Sequence, residues 1–173
     1  MTQLKTYLVW DAPTRWFHWI NALCVIGLTA VGLVIFNASA LGVSNAGKIA
    51  LKSLHTWIGY VFALNLVWRF IWAFAGNRYA KWRAFLPGGP GYVAALRRYA
   101  GTLHAGHPEQ YVGHNPAARL AIAVLLLIML VQTITGLLLA STDLFYPPLG
   151  RWIAQWIAAP GVDPTTLLPY APE

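Results

Sequence analysis

Hydrophobic positions along the chain fall into three long runs separated by polar segments rich in glycine and proline. Residues 16–36 are interrupted only by Asn21 and by small residues such as Gly27 and Gly32. A second run, 52–75, closes at Gly76-Asn77, and a third, 117–140, is opened by Asn115-Pro116 and contains Gly136. About 20 apolar residues on a helix cross the ~30 Å hydrocarbon core of a bilayer, so each run predicts a membrane-spanning helix. Pro13 and Thr14 supply a first-turn and cap signal for the first helix, and Gly76-Asn77 is a helix stop for the second. A loop rich in Ser, Asn and Gly, 37–47, joins the first two.

Two shorter segments carry helical amphipathicity. Residues 91–101 read as a basic amphipathic helix lying on a membrane surface. Residues 149–158 place Trp152, Ile153, Trp156 and Ile157 on one face and read as a second interfacial helix. The predicted class is therefore an all-α integral membrane protein, a transmembrane helical bundle with three visible spans. Residues 1–173 are read as one domain, with a loop over 77–116 and a tail over 141–173. No internal repeat or low-complexity segment is visible.

Composition sharpens this picture. Apolar residues make up 58% of the chain and charged residues only 10%, against about 25% charged in ordinary soluble chains. The 12 Lys+Arg against 5 Asp+Glu would suggest nucleic acid on a soluble protein. Here the cations gather beside the spans instead, facing anionic lipid headgroups, so membrane lipid and not nucleic acid is the expected partner. Arg78, Lys81, Arg83, Arg97 and Arg98 lie between the second and third runs, Lys5 and Arg15 near the amino terminus, and Lys48 alone in the loop between the first two. The positive-inside rule then puts the amino terminus and the 77–116 loop in the cytoplasm and the 141–173 tail outside. The first run is too long for the apolar core of a secretory signal and lacks a basic segment directly before it, so it reads as a retained helix. Cys24, the single cysteine, is read as a small buried hydrophobe, and no Cys-x-x-Cys-His run offers covalent haem attachment.

Two histidines stand inside the spans. His18 lies three residues into the first run and His55 three or four into the second, which enters from the opposite face. Ionisable side chains at such depth mark functional sites by default, and imidazole is the usual axial ligand of a haem iron. At 1.5 Å per residue and ~30 Å of hydrocarbon, the two levels differ by roughly 20 Å. One imidazole near each face is what an electron path across the bilayer requires. The alternative for each is a hydrogen bond that ties two helices together. Gly59, one turn after His55, and Gly27 offer room for a flat macrocycle, or simply close helix packing. Arg15 and Arg69, at the cytoplasmic ends of their spans, are candidates to pair with haem propionates or to snorkel to the interface. His104 and His107 lack the further ligands a metal site needs. His114, leading into the third span, belongs at the level of a cytoplasmic-side haem.

The segment Val9-Trp10-Asp11-Ala12-Pro13-Thr14-Arg15-Trp16-Phe17-His18-Trp19 resembles the opening of the prokaryotic di-haem cytochrome b proteins, a family that includes the b-type cytochrome subunits of nickel–iron hydrogenases. The resemblance continues through His55-Thr56-Trp57-Ile58-Gly59-Tyr60, Trp68-Arg69-Phe70-Ile71-Trp72, Phe74-Ala75-Gly76-Asn77-Arg78-Tyr79-Ala80 and Gly113-His114-Asn115-Pro116. It implies a four-helix bundle holding two b haems, each ligated by two histidines. The family's first-span ligand maps to His18 and its second-span ligand to His55; the other two come from a fourth helix returning to the cytoplasm. This chain departs from that pattern, because residues 141–173 contain neither a fourth span nor a histidine. The expectation is that the sequence is incomplete at its carboxyl end, with a partner-supplied helix as the other option.

The function so implied is transmembrane electron transfer through two b haems. It links the quinone/quinol pool to an extracytoplasmic partner, a c-type cytochrome or a hydrogenase-like subunit. The chain would sit in the bacterial inner membrane, within a complex or a homo-oligomer. A haem-free membrane anchor or assembly subunit is the competing reading. A histidine-based metal transporter ranks last, for want of intramembrane acids.

Overall fold

A computed structural model describes residues 9–162 of the chain. Lys5 and residues 163–173, the end of the expected outer tail, lie outside the described residues. Those described are helical, without a strand. The helices are α1 (Ala12–Phe36), α2 (Asn45–Ala75), α3 (Trp82–Phe85), α4 (Tyr92–His104), α5 (Pro116–Asp143) and α6 (Gly150–Ile157). Three of them, α1, α2 and α5, are long and apolar enough to cross a membrane.

Local chemistry sets the helix starts. Asp11 caps α1, its Oδ1 accepting from the backbone N–H of Thr14 at 3.1 Å, as an N-cap carboxylate does. The sequence pointed to Thr14 as the cap. Thr14 is instead the third helical residue, and Pro13 falls in the first turn, where its missing N–H costs nothing. Ser44 caps α2, its Oγ accepting from Gly47 N–H at 3.1 Å. That cap starts the helix at Asn45, earlier than hydropathy marked, because a helix continues past the apolar run wherever a cap closes it. At α5, Asn115 Oδ1 accepts from Ala118 N–H at 2.7 Å, and Pro116 takes the first helical position.

The described residues form two compact units, one from 9–19 and 66–129, the other from 20–65 and 130–162. In the first, Leu66, Ala73, Phe85 and Leu126 form a buried core, against which Phe70, Trp82, Ile122 and Met129 pack. Phe85, on the short α3, is wholly buried. The turn after α2 is built around Asn77, whose Oδ1 accepts from the N–H groups of Tyr79 and Ala80 at 2.8 and 2.9 Å. Gly76 ends α2 there; a Cβ would stand 2.6 Å from the carbonyl oxygen of Trp72. Asp11 Oδ2 accepts from the Trp72 indole N–H at 3.1 Å, tying the start of α1 to the end of α2.

In the second unit α2 packs between α1 and α5. A Cβ on Gly27 of α1 would meet Ile58 of α2 at 3.5 Å. On the other side Lys52 pairs with Asp143 at 2.8 Å, the Tyr60 hydroxyl donates to the Pro147 carbonyl at 2.6 Å, and the Tyr146 and Ser53 hydroxyls bond at 3.3 Å. Between apolar helices in lipid, packing and polar links hold the assembly, since hydrocarbon removes the hydrophobic drive. The large apolar side chains of α1 and α5 accordingly stand exposed, among them Ile26, Leu33, Leu127 and Val131. Cys24 is buried, as its apolar surroundings predict. The amphipathic α6 exposes Trp152 and Trp156 while burying Gly150 and Ala154.

Candidate functional site

In the second unit His55, Thr56 and Gly59 follow Lys52 on α2 at helical spacings of three, four and seven, on one face of the helix. The His55 imidazole lines two neighbouring cavities. One, of about 290 Å³, is walled by Val25, Leu28 and Thr29 of α1, His55, Thr56, Gly59 and Phe62 of α2, and Gln132, Gly136 and Ala140 of α5, among others. The other, of about 300 Å³, shares His55, Thr56, Gln132, Gly136 and Ala140 and runs to Lys52 and Asp143. Gly32 of α1 lies against the ring: a Cβ there would stand 3.4 Å from His55 Cε1. Nothing lies within 4 Å of where a Cβ on Gly59 or Gly136 would project. These two helical glycines keep open a space that side chains would fill. His55 Nδ1 is buried and meets no hydrogen-bond partner, a costly state for a polar atom inside a membrane protein.

Cationic and aromatic groups gather in the first unit. Arg69 is buried. Its Nη1 donates to the Ala80 carbonyl at 3.1 Å, and its guanidinium carbon sits 4.2 Å from the Phe85 ring centre and 5.9 Å from that of Phe17. The His114 ring packs edge-on against Trp10 at 4.8 Å and Phe85 at 6.5 Å. Burial, with Arg69 and Arg119 nearby, holds the His114 imidazole below its ordinary pKa, so it is neutral at pH 7. Its Nδ1 is buried without a partner, and the ring lines a cavity of about 220 Å³ with Tyr92, Tyr111 and Arg119. Arg119 in turn donates to the Leu86 carbonyl.

Arg69 and His114 thus both pack against Phe85. His18 and Arg15 are exposed; the ring contact of His18 is with its neighbour Trp19, at 5.8 Å. Neither lines the cavity beside His114 or the one beside Trp82. Sequence reasoning passed over Gln132, Thr135 and Gly136 as site residues, and over the Lys52–Asp143 pair. Gln132 carried a signal, as a lone amide at the middle of an apolar span; Asp143 lay past the hydropathic edge and carried none.

Three helices of membrane-spanning length, with a cavity between them walled in part by an imidazole, define a class, the helical membrane bundles. The family is specific: over residues 9–160 the chain matches the prokaryotic cytochrome b561 family, and it belongs to that family. Its relatives include the probable Ni/Fe-hydrogenase B-type cytochrome subunit of Cupriavidus necator, 32% identical over 68% of this chain and 51% of the relative. The probable Ni/Fe-hydrogenase 1 B-type cytochrome subunit of Escherichia coli K12 is 32% identical over 79% of this chain and 61% of its own length. The probable Ni/Fe-hydrogenase B-type cytochrome subunit of Rhizobium leguminosarum bv. viciae is 30% identical over the same shares, 79% and 61%. The chain therefore spans about half to three-fifths of the length of these relatives. No solved structure matches it significantly.

The family implies haem b, and the second unit fits such a group. The His55 imidazole faces a largely apolar space kept open by Gly59 and Gly136, between helices whose small residues allow a flat ring to enter. Haem pockets need that combination of a nitrogen ligand and an apolar wall.

Proposed function

We propose that this protein is a membrane electron-transfer subunit that binds haem b at His55 and at His18. The observation that carries the reading is the cavity beside His55, together with membership of a b-type cytochrome family. Haem supplies one-electron redox chemistry when bound. The chain's part is to present an imidazole near each membrane face, to exclude water with the apolar walls of α1, α2 and α5, and to set local charge. Arg15, Arg69 and His114 are the residues that would pair with, or lie close behind, the propionates of a haem at His18.

Electrons pass between the quinone pool and an extracytoplasmic redox partner. The names of the relatives favour a hydrogenase there, with a c-type cytochrome as the other candidate. The amino terminus and the 77–116 loop face the cytoplasm of a bacterium, and the chain sits in its inner membrane. The test is a reduced-minus-oxidised visible spectrum of the protein purified in its native complex. Sharp alpha and Soret bands of b haem are expected. Their absence would leave a haem-free anchor as the function.

A further inference from the structure

The geometry points to Lys52 as the residue that holds a carboxylate of the macrocycle bound at His55, with Asp143 as its exchangeable counter-ion. This rests on the haem reading above. Lys52 Nζ and Asp143 Oδ2 are 2.8 Å apart, and both side chains are about one-third exposed (36% and 37%). Half-exposed pairs of this kind contribute little net stability, so fastening α2 to α5 does not by itself account for placing two charges at the edge of a membrane span.

Their position supplies a reason. Lys52 and Asp143 line the cavity of about 300 Å³ whose wall also includes His55, Gln132, Gly136 and Ala140. Lys52 precedes His55 by three residues, about 4.5 Å along α2 on the same face. On α5, Gln132, Gly136, Ala140 and Asp143 follow one another at helical spacing. The cavity therefore runs along both helices from the imidazole to the ion pair. Haem b carries two propionates on one edge, and charged groups avoid hydrocarbon. A ring ligated by His55 and lying in this cavity turns that edge toward Lys52, the cation on the wall. Asp143 holds the ammonium in place before the macrocycle enters. Afterwards it competes with the propionate for the same charge.

The sign of each effect on the haem potential follows. A nearby cation favours the reduced iron, which carries one more electron. Lys52→Gln should lower the midpoint potential of the haem held by His55, and Asp143→Asn should raise it. Each shift should amount to about threefold to tenfold in the reduction equilibrium, at about 59 mV per tenfold for one electron. Lys52→Arg, which keeps the charge, should stay near wild type and guards against a folding defect. A purely structural pair predicts the opposite pattern: both neutral variants lose the same contact and behave alike.

The experiment is a potentiometric titration of wild type and the three variants in the native complex, followed at the reduced alpha band. The haem concerned is the one that His55→Ala removes. Opposite shifts in Lys52→Gln and Asp143→Asn support the assignment. Unmoved potentials, or shifts in the same direction, with haem content intact overturn it while leaving the haem reading standing. A wild-type protein without b haem overturns both.

Discussion

The imidazole of His55 lies against Gly32, whose Cβ, if present, would stand 3.4 Å from the ring. An α-carbon without a side chain on α1 lets a ring on α2 stand between the helices, and Gly59 and Gly136 keep the space beside it clear. Glycine within a helix costs about 1 kcal/mol relative to alanine, so three of them around one imidazole trade helix stability for room. Filling that room should cost cofactor before fold. Gly136→Leu should cut the haem content of the complex by about half while the protein still inserts in the membrane; Gly136→Ala should lose much less. Haem per polypeptide, measured on membranes with matched protein levels, checks this. Full haem in Gly136→Leu would show that the macrocycle lies elsewhere.

Arg69 is held by the Ala80 carbonyl and the face of Phe85. Arg69→Ala leaves a buried carbonyl without its donor, which costs about 1–3 kcal/mol, and removes a desolvated cation–π contact worth up to about 2 kcal/mol. Arg69→Lys restores the charge but not the planar fork and should recover part of the loss. Thermal unfolding in detergent, read by the fluorescence of the clustered tryptophans, measures it. An Arg69→Ala protein as stable as wild type would contradict the described packing.

Asp11 caps α1 and accepts from Trp72. Burial alone would raise its pKa, but the hydrogen bonds from Thr14 and Trp72 outweigh it, and the carboxyl is held below its ordinary value of 3.8. Its ionised form therefore favours the folded state. That contribution is complete above the ordinary value and is lost as pH falls through the lowered one. Asp11→Ala should destabilise by about 1 kcal/mol at neutral pH, the usual worth of an N-cap, and the gap should shrink as pH falls below the ordinary value of 3.8. A gap that widened in acid would reverse the sign.

The proposed topology makes a separate claim. With Cys24 replaced, Arg97→Cys should resist a membrane-impermeant thiol reagent in intact cells and react after lysis. Arg97 lies on α4, in the basic segment between the second and third spans. Labelling before lysis would invert the orientation and exchange the sides assigned to His18 and His55.

Hydropathy made the three long helices and α6 legible, because long apolar runs admit few alternatives and capping chemistry shifted only their ends. The short α3 was not legible. It exists because Phe85 is buried among Leu66, Ala73 and Leu126, contacts distant in sequence that no local pattern encodes. His55 stood out as an ionisable group within a span, and the cavity beside it follows from glycines on three helices that only the fold aligns. Lys52 and Asp143 are 91 residues apart, and each taken singly reads as an ordinary charge at a helix end. Arg69 was legible as a site candidate through its place in the span. Its seat on Phe85 was not.

The central claim is that His55 and His18 each hold a b haem. Pyridine haemochrome content per polypeptide in wild type, His18→Ala and His55→Ala, each purified in the native complex, tests it most directly. The account predicts two haems in wild type and one in each variant, with different potentials surviving in the two. Unchanged haem content in both variants would contradict it.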